Sequence, residues 1–515
     1  MLRSILLSAA ALALIPLTGS AAPRVADIFG DRMVLQRDRP VPVWGEAPAG
    51  TPVTVDFAGQ RKSTIAGADT RWRVDLDPLP ASSAPRELMV RFDGASGSDR
   101  EFRDVLVGEV WLCGGQSNMF WPLGPTANAR AKWPGAQNGE EEVARANWPE
   151  IRLNFDAEHE LGPAGWHACS PATVRGFSAT AYFFGRELHR LLGVPVGLVL
   201  RSRGGSSVQA WTPAPELDAV AFVREQRSRL DSGRERIQEW NRRMADFRRG
   251  KSDAERGARP PALPEDLETA RKLQSRGELH DKLVAPVVPF AIRGVIWYQG
   301  ESNASPRTLA AAYGDMLGAL IAGYRRLWDR PDLPFYFVQL PIFDRPGTGD
   351  HWHLVREGMR RLHDRTPHTG LVVTYDFSDP ANLHPPEKQE VGRRLSLWPL
   401  ALIHGKPLVP SGPLLRDVKF QNGAAAVSFR HSEGLRSLDG RPLRGFELAG
   451  PDGVFHPAAA TIAKDTVVLR CEAVPAPTLA RFFHGGVNHP NLGNAAGLPA
   501  SPFTTEEMEV SPAPW

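Results

Sequence analysis

The chain has 515 residues, of which 42% are hydrophobic and 23% are charged. This balance is that of a soluble folded protein, which excludes a disordered chain and a membrane protein. The 61 basic and 58 acidic residues nearly cancel and leave a formal net charge of +3. We therefore expect no nucleic acid partner. The length exceeds what one hydrophobic core usually supports and predicts two or three domains.

The N-terminus has the three-part pattern of a secretory signal peptide, which we assign to residues 1–22. Arg3 precedes an apolar run from Ile5 to Leu17, and small residues then lead to the predicted cleavage site after Ala21 or Ala22. The apolar run is too short for a comfortable transmembrane span. No later stretch is long and apolar enough to cross a bilayer. We expect a mature protein without a membrane span, exported to the periplasm or secreted.

Three cysteines are present, Cys113, Cys169 and Cys471. They are too few for a dense disulfide framework, and their spacing matches no zinc-binding pattern. We interpret them mainly as buried small hydrophobic residues, and leave open whether two of them form a bridge.

Both ends of the mature chain carry short strand patterns. Residues 23–104 hold short runs such as Arg73–Leu76, separated by Gly and Pro, which predicts an N-terminal β-sandwich. Residues 406–515 return to this pattern, with Ala424–Phe429 and Thr466–Arg470 as the clearest strands. They predict a C-terminal β-rich region.

Residues 105–405 alternate apolar runs with helical patterns, which predicts an α/β fold with a mostly parallel sheet flanked by helices. The predicted buried strands are Val105–Leu112, Val194–Leu200, Arg293–Tyr298, Pro334–Leu340 and Gly370–Thr374. Residues 215–282 interrupt the alternation and are rich in Arg, Glu and Gln. We interpret them as a helical insertion over one edge of the sheet, and their role is left open.

Polar clusters follow four predicted strands, at the edge where open α/β sheets bind ligands. The clusters are Gly-Gly-Gln-Ser-Asn-Met at 114–119, Arg-Gly-Gly-Ser-Ser at 203–207, Trp-Tyr-Gln-Gly-Glu-Ser-Asn at 297–303 and Asn-Leu-His-Pro-Pro at 382–386. The first glycines allow a sharp turn that presents Ser117 at the mouth of the sheet. The amide of Asn303 is of the type that donates to a developing oxyanion. Of the 14 histidines, His384 is the one that lies in such a cluster, and this cluster follows the other three in the chain.

Taken together, the clusters resemble the SGNH (GDSL-like) hydrolases, and more closely the sialate O-acetylesterase family of carbohydrate acetyl esterases. The resemblance covers about residues 105–405. Its motifs are Gly-Gln-Ser-Asn-Met at 115–119, Ala-Trp-Thr at 210–212, Trp-Tyr-Gln-Gly-Glu-Ser-Asn at 297–303 and His-Pro-Pro-x-Lys-Gln-Glu-Val-Gly at 384–392. Each motif alone is weak evidence for the family, but four motifs in the order found in the family are specific to it. It implies an SGNH-hydrolase-like catalytic domain.

The resemblance implies a serine acetylesterase that deacetylates a carbohydrate through an acyl-enzyme, with no metal and no organic cofactor. By matching motifs, Ser117 is the nucleophile and His384 the general base. The oxyanion is held by the Ser117 N–H, the Gly205 N–H in preference to that of Gly204, and the Asn303 side chain. The candidate substrate-pocket residues are Gln116, Arg201, Arg203, Gly204, Gln209, Trp211, Gln299 and Glu301.

One position departs from the family pattern. Relatives usually carry Asp two residues before the histidine, where this chain has Asn382, and Ala381 occupies the position used by SGNH hydrolases more widely. The carbonyl of Asn382 can accept the Nδ1–H bond but supplies no charge for the imidazolium. Asp379, Asp376 and Glu301 are the other candidates, and Asp379 is the nearest in sequence. We predict a dyad or an imperfect triad. A smaller departure is Phe120, where relatives often carry Glu.

Alternatives remain open for the substrate and for the activity itself. O-acetylated sialic acid competes with acetylated plant hemicellulose such as xylan or xyloglucan, and a sialate carboxylate favours an Arg clamp. The missing Asp motivates a second hypothesis, a catalytically weak carbohydrate-binding homologue, whereas the intact Ser117 and His384 favour an esterase. We see no apolar lid-like segment typical of a lipase. The oligomeric state is left open.

Overall fold

The computed structural model describes residues 22–94, 97–127, 132–249, 265–343, 351–485 and 489–508. The predicted signal peptide lies, except for Ala22, outside these residues. The first strands are β1 (Arg24–Val25), β2 (Val34–Gln36), β3 (Val41–Glu46), β4 (Pro52–Phe57), β5 (Gln60–Ile65), β6 (Arg71–Leu76) and β7 (Ser82–Phe92). In β6 the buried Trp72, Val74 and Leu76 alternate with exposed residues, so one face of the strand packs inward. Strands β1, β3 and β6 form one antiparallel sheet.

The next strands build the central sheet and a small hairpin. They are β8 (Arg100–Gly115), β9 (Thr126–Ala127), β10 (Lys132–Trp133), β11 (Trp148–Phe155), β12 (Gly165–Cys169), β13 (Val196–Ser202), β14 (Gly294–Tyr298), β15 (Phe335–Val338) and β16 (Thr369–Val372). The main order is β12-β11-β13-β8-β14-β15-β16. All of these neighbours pair in parallel except β11 and β12.

The five predicted parallel strands are present, and the α/β prediction is confirmed. Two strands of the sheet, β11 and the edge strand β12, were not predicted. The polar Arg152 and Asn154 interrupt the apolar pattern of β11, although both are buried in the fold. The boundary predicted after residue 104 falls inside β8, whose first part pairs with β7 and whose last part pairs with β13 and β14. The predicted domain division stays a prediction.

Helices cover the sheet and occupy much of the predicted insertion. They are α1 (Ser117–Phe120), α2 (Gly139–Arg145), α3 (Pro171–Val174), α4 (Ala179–Leu192), α5 (Val208–Trp211), α6 (Ala214–Asp218), α7 (Ala221–Arg249), α8 (Glu265–Lys272), α9 (Arg307–Ala311), α10 (Tyr313–Leu327), α11 (Trp352–Arg365) and α12 (Lys388–Leu402). A π-helical turn spans His280–Val284. Short 3-10 turns span Ala285–Val287, Glu301–Asn303 and Tyr375–Phe377. None of the helices described is both long and apolar enough to cross a bilayer.

The C-terminal region is built from short antiparallel strands. They are β17 (Leu414–Gln421), β18 (Ala424–Arg430), β19 (Arg436–Ser437), β20 (Phe446–Ala449), β21 (Phe455–Pro457), β22 (Ala459–Ala463), β23 (Thr466–Arg470), β24 (Leu479–Phe482), β25 (Leu492–Gly493) and β26 (Phe503–Thr504). A second hydrophobic cluster joins them to the α/β part through Ile342, Val373 and Tyr375.

In the central sheet β8 lies between β13 and β14. Both of these strands come later in the chain, and they pair with opposite edges of β8. This is a topological switch point, and the carboxyl ends of the strands around such a point form a crevice. Ser117 follows β8, Gly204 and Gly205 follow β13, and Asn303 follows β14. Three of the four polar clusters therefore meet at one place.

Candidate active site

The nucleophile turn, which we define as Gly114–Phe120, links β8 to α1. Gly115 has φ = +143°, and a Cβ at this residue would collide with the carbonyl oxygen of Tyr298. A Cβ at Gly114 would lie 2.8 Å from the ring of Trp297. The two glycines thus let β8 pass close to β14 and turn sharply into α1. Ser117 is the first residue of this helix and is 8% exposed.

The imidazole of His384 meets the hydroxyl of Ser117. Nε2 of His384 lies 2.8 Å from Oγ of Ser117, and with Nε2 as the acceptor the hydroxyl donates the hydrogen bond. The indole of Trp121 stacks on the imidazole, with ring centroids 4.8 Å apart and planes inclined by 28°. Trp121 is itself held by a 2.7 Å bond from Nε1 to the carbonyl of Gly135. The stacking fixes the plane of the base.

The surroundings of His384 favour its neutral form. Burial lowers the pKa of the imidazole to about 4, and the nearby ammonium of Lys388 acts in the same direction. A neutral imidazole at neutral pH can accept the proton of the Ser117 hydroxyl. The pair has the protonation state that a nucleophile and its base require.

The residues that we considered as partners of His384 Nδ1 are engaged elsewhere. Oδ1 of Asn382 accepts the backbone N–H of His384 at 2.9 Å, and Oδ1 of Asp379 accepts that of Ala381 at 2.9 Å. Both side chains therefore act as turn formers. Asp376 forms a bidentate pair with Arg394 at 2.8 and 2.6 Å.

Glu301, the fourth candidate partner, accepts a 2.5 Å bond from Nδ2 of Asn118 instead. Within the described residues, no side chain hydrogen-bonds to His384 Nδ1. The expected orienting bond from Asn382 is not formed, because its oxygen is turned toward the backbone of the same loop.

Donors for a developing oxyanion surround Ser117. The Ser117 N–H belongs to the first turn of α1, whose donors have no partner inside the helix. Gly205 has φ = +71°, and a Cβ at Gly204 would lie 3.8 Å from Cβ of Ser117. Within the described part of the chain, the N–H groups of Gly204 and Gly205 donate to no other residue. The arrangement can offer backbone donors from two strand ends.

Asn303 is fully buried, and its orientation is set by three hydrogen bonds. Its Oδ1 accepts from the Val208 N–H at 3.0 Å and from Nε2 of Gln299 at 2.9 Å. Its Nδ2 donates to Oε1 of Gln209 at 2.9 Å. An amide nitrogen carries two hydrogens, so the second remains for another acceptor.

An amide network ties the third cluster to the nucleophile turn. Oε1 of Gln116 accepts from Nε2 of Gln299 at 3.1 Å and from the backbone of Ser302 at 3.2 Å. The hydroxyl of Tyr313 donates to Gln299 at 2.9 Å. Gln116, Gln209 and Gln299, which we considered as pocket residues, are fully or almost fully buried and position other groups.

Other candidate pocket residues also have structural partners. Arg203 makes a bidentate pair with Asp156 at 3.1 and 2.6 Å. The buried Arg201 donates to Asn154 at 2.9 Å. Trp211 is fully buried and donates from Nε1 to Oγ of Ser206 at 2.8 Å, so it presents no face on which a sugar can stack.

Phe120 packs between Trp133 and His159, with ring centroids 5.3 and 5.1 Å away. The β9–β10 hairpin and the nucleophile turn therefore share one aromatic cluster.

The three cysteines are free thiols, and Cys113 and Cys169 are buried.

Three residues near the pair were not singled out from the sequence: Trp121, Asn118 and Lys388. Asn118 and Lys388 lie inside the quoted motifs, and Trp121 follows the first motif by two residues. Their position in or next to these motifs is the sequence feature that could have indicated a role at the site. The contacts of Asn118 and Trp121 with the histidine loop depend on the packing of distant segments, which the sequence pattern does not reveal.

The sequence and fold of the chain are similar to those of known proteins. Residues 271–397 match the family described as carbohydrate esterase, sialic acid-specific acetylesterase. The chain is 27% identical to the sialate O-acetylesterase of Rattus norvegicus over 436 residues, covering 77% of this chain and 76% of that protein. It is 26% identical to the sialate O-acetylesterase of Homo sapiens over 438 residues, covering 77% and 74%.

A solved structure extends the similarity to nearly the whole chain. A carbohydrate acetylesterase from Xanthomonas citri is 33% identical, with a TM-score of 0.75, and the match covers 94% of this chain and 100% of that one. The chain therefore belongs to the carbohydrate acetylesterase family that includes the sialate O-acetylesterases, and it is an acetylesterase.

Proposed function

We propose that this acetylesterase works through Ser117 as nucleophile and His384 as general base, with none of the described carboxylates bonded to the imidazole. The observation that carries the proposal is the 2.8 Å contact between Ser117 Oγ and His384 Nε2. The lowered pKa of His384 supports it, because the base is neutral and ready to accept a proton.

In the acylation step, Oγ of Ser117 bonds to the acetyl carbonyl carbon while its proton passes to His384 Nε2. The carbonyl oxygen becomes an oxyanion that accepts bonds from the Ser117 N–H, the Gly205 N–H and Asn303 Nδ2. The imidazolium then protonates the sugar oxygen as the ester bond breaks. Water attacks the acetyl-enzyme by the same route, releases acetate and restores the hydroxyl of Ser117.

The substrate that we propose is an O-acetylated sugar, with O-acetylated sialic acid as the first candidate. The matching family model and the curated relatives support sialic acid. Arg203 pairs with Asp156, and Arg201 is held by Asn154 and the carbonyl of Leu283. Neither guanidinium is free of protein partners, so a sialate carboxylate bound by Arg203 would compete with Asp156.

The nucleophile is tested by Ser117→Ala. We expect acetate release from p-nitrophenyl acetate and from an O-acetylated sugar to fall by roughly 10⁴-fold or more. Ser396→Ala is a matched control, since this buried serine lies on α12 and bonds the carbonyl of Arg393. Equal rates for wild type and Ser117→Ala would refute the serine mechanism.

The sugar is tested by measuring acetate release from O-acetylated sialic acid, acetylated xylan and acetylated xyloglucan at matched ester concentration. We expect the highest kcat/KM for the sialic acid ester. A clear preference for either plant polysaccharide would overturn the sialate assignment while leaving the serine mechanism intact.

We also propose that the protein is exported. The pattern of residues 1–22 supports this, with a basic residue, an apolar run and small residues before Ala22. N-terminal sequencing of protein recovered outside the cytoplasm should begin at Ala22 or Pro23. A product that keeps Met1 and stays in the cytoplasm would contradict the proposal.

A further inference from the structure

The loop that carries His384 rests on a buried polar cluster, Asn118, Glu301 and Lys388. Each member comes from a different motif: the nucleophile turn, the cluster after β14 and the first turn of α12. Asn118 and Lys388 are 0% exposed. Burying an ammonium and a carboxylate costs desolvation free energy, so we expect their contacts to have a role.

Asn118 links the other two members of the cluster. Its Nδ2 donates to Oε1 of Glu301 at 2.5 Å, and its Oδ1 accepts from Nζ of Lys388 at 2.6 Å. The second oxygen of Glu301 is buried and has no hydrogen-bond partner in the described part of the chain. The cluster is thus a carboxylate and an ammonium joined through one amide.

The same groups hold the backbone on both sides of the base. Nδ2 of Asn118 also donates to the carbonyl of Leu383 at 3.2 Å, and Nζ of Lys388 donates to the carbonyl of Pro385 at 2.7 Å. Leu383 and Pro385 are the two neighbours of His384 in the chain. Fixing both carbonyls limits the positions that the imidazole can adopt.

The ammonium of Lys388 lies among aromatic and charged groups. It is 5.7 Å from the ring centroid of Trp121, the residue that stacks on His384, and 5.6 Å from that of Tyr298. Burial lowers the pKa of Lys388 to about 7, while the carboxylates of Glu301 and Glu387 act in the opposite direction. The ammonium also helps to lower the pKa of His384.

We infer that Asn118, Glu301 and Lys388 are positioning residues that hold His384 in register with Ser117, since no side chain of the described residues hydrogen-bonds to its Nδ1. The inference rests on the proposed function, since it assigns His384 as the base. The cluster acts through the two carbonyls that flank His384 and through Trp121, and it contacts no reacting atom.

The test compares Lys388→Met, Asn118→Leu and the double variant with wild type. Active sites are counted by the end point of the reaction with diethyl p-nitrophenyl phosphate. We expect kcat per active site to fall about 10- to 100-fold in each single variant, with little change in KM, because the base is displaced from the nucleophile. The double variant should lose little more than the worse single variant, since the residues act as one unit.

A pH profile separates positioning from a purely structural role. Lys388→Met removes the ammonium that lowers the pKa of His384, so the acid limb of kcat/KM should move to higher pH. Arg393→Met is the control for loss of a cation from α12, since the guanidinium of Arg393 hydrogen-bonds to Glu390 and to no member of the described cluster. Unchanged kcat per active site and an unmoved acid limb in Lys388→Met would overturn the inference.

If Lys388→Met does not fold, Glu301→Gln and Glu301→Leu decide. Gln keeps an acceptor for Asn118 and Leu removes it, so we expect kcat per active site to be several-fold higher in Glu301→Gln than in Glu301→Leu. Equal values would overturn the inference. Ser117→Ala separates the two proposals: an active Ser117→Ala refutes the mechanism, whereas an inactive Ser117→Ala beside an unaffected Lys388→Met refutes the positioning role alone.

Discussion

The nucleophile turn and the histidine loop, residues 379–386, bring Ser117 and His384 together by different means. In the turn, Gly115 adopts a backbone conformation that other residues rarely adopt, and it lies against Tyr298 of the neighbouring strand. No residue of the loop has a positive φ. Its shape depends on its prolines, on Asn382 and Asp379, which cap its backbone, on Lys388 just after it in the chain, and on Asn118 from α1.

The difference shows what keeps Ser117 and His384 in place. The turn is fixed by the sterics of a parallel sheet, so one added methyl group should disrupt it. The loop is held by side-chain contacts, which can relax when one is removed, so the loss of one contact should cost less than a methyl group added in the turn. Four substitutions test this ranking.

The largest effect is expected for Gly115→Ala. The new Cβ collides with the Tyr298 carbonyl, so both Oγ and the N–H of Ser117 must move. We expect kcat/KM for p-nitrophenyl acetate to fall roughly 10⁴-fold, combining misplacement with a lost oxyanion donor. Gly50→Ala is the control, because Gly50 also has positive φ, at +84°, but faces open space. Similar activity in both variants would show that the turn is not sterically fixed.

Asn303→Ala removes a side-chain donor that the amide network holds beside the nucleophile turn. We expect kcat to fall about 10²- to 10³-fold, the usual effect of losing one oxyanion donor. Asn494→Ala is matched in burial and bonds two backbone carbonyls, those of Ser411 and His431. It should lower the midpoint of thermal unfolding without lowering kcat. A loss of stability alone in Asn303→Ala would remove Asn303 from the oxyanion site.

Trp121→Leu tests the histidine side of the comparison. Loss of the stacked ring frees the imidazole to tilt, and we expect kcat to fall about tenfold with KM nearly unchanged. Trp166→Leu is the control, since Trp166 is similarly buried and its Nε1 also donates one 2.7 Å bond to a carbonyl, that of Ile28. A loss in Trp121→Leu as large as that in Gly115→Ala would contradict the ranking of the turn above the loop.

The smallest effect is expected for Asn382→Asp. The acceptor for the His384 N–H is kept, so kcat at neutral pH should stay within about threefold of wild type. In wild type, activity should be lost as pH falls through about 4, where His384 gains a proton. An added carboxylate favours the imidazolium, so the acid limb should move to higher pH. A kcat tenfold above wild type would instead mean that residue 382 reaches Nδ1.

The pattern of the sequence determined the α/β fold and the positions of its main strands along the chain, because apolar runs bounded by glycine record burial directly. It also marked Ser117, Asn303 and His384, since each follows a strand and parallel strands end at one edge of a sheet. The polar β11 escaped prediction, because the burial of Arg152 and Asn154 depends on partners remote in the chain.

Only the tertiary structure decided what holds the base. Asn382, two residues before the histidine, turns its oxygen to the backbone, whereas Asn118 and Lys388 approach the loop from α1 and α12. Local spacing cannot reveal this, because a hydrogen bond between residues 118 and 383 depends on how separate strand ends pack. The sequence therefore marked Ser117 and His384 as candidates, and the packing of the strand ends decided which side chains support them.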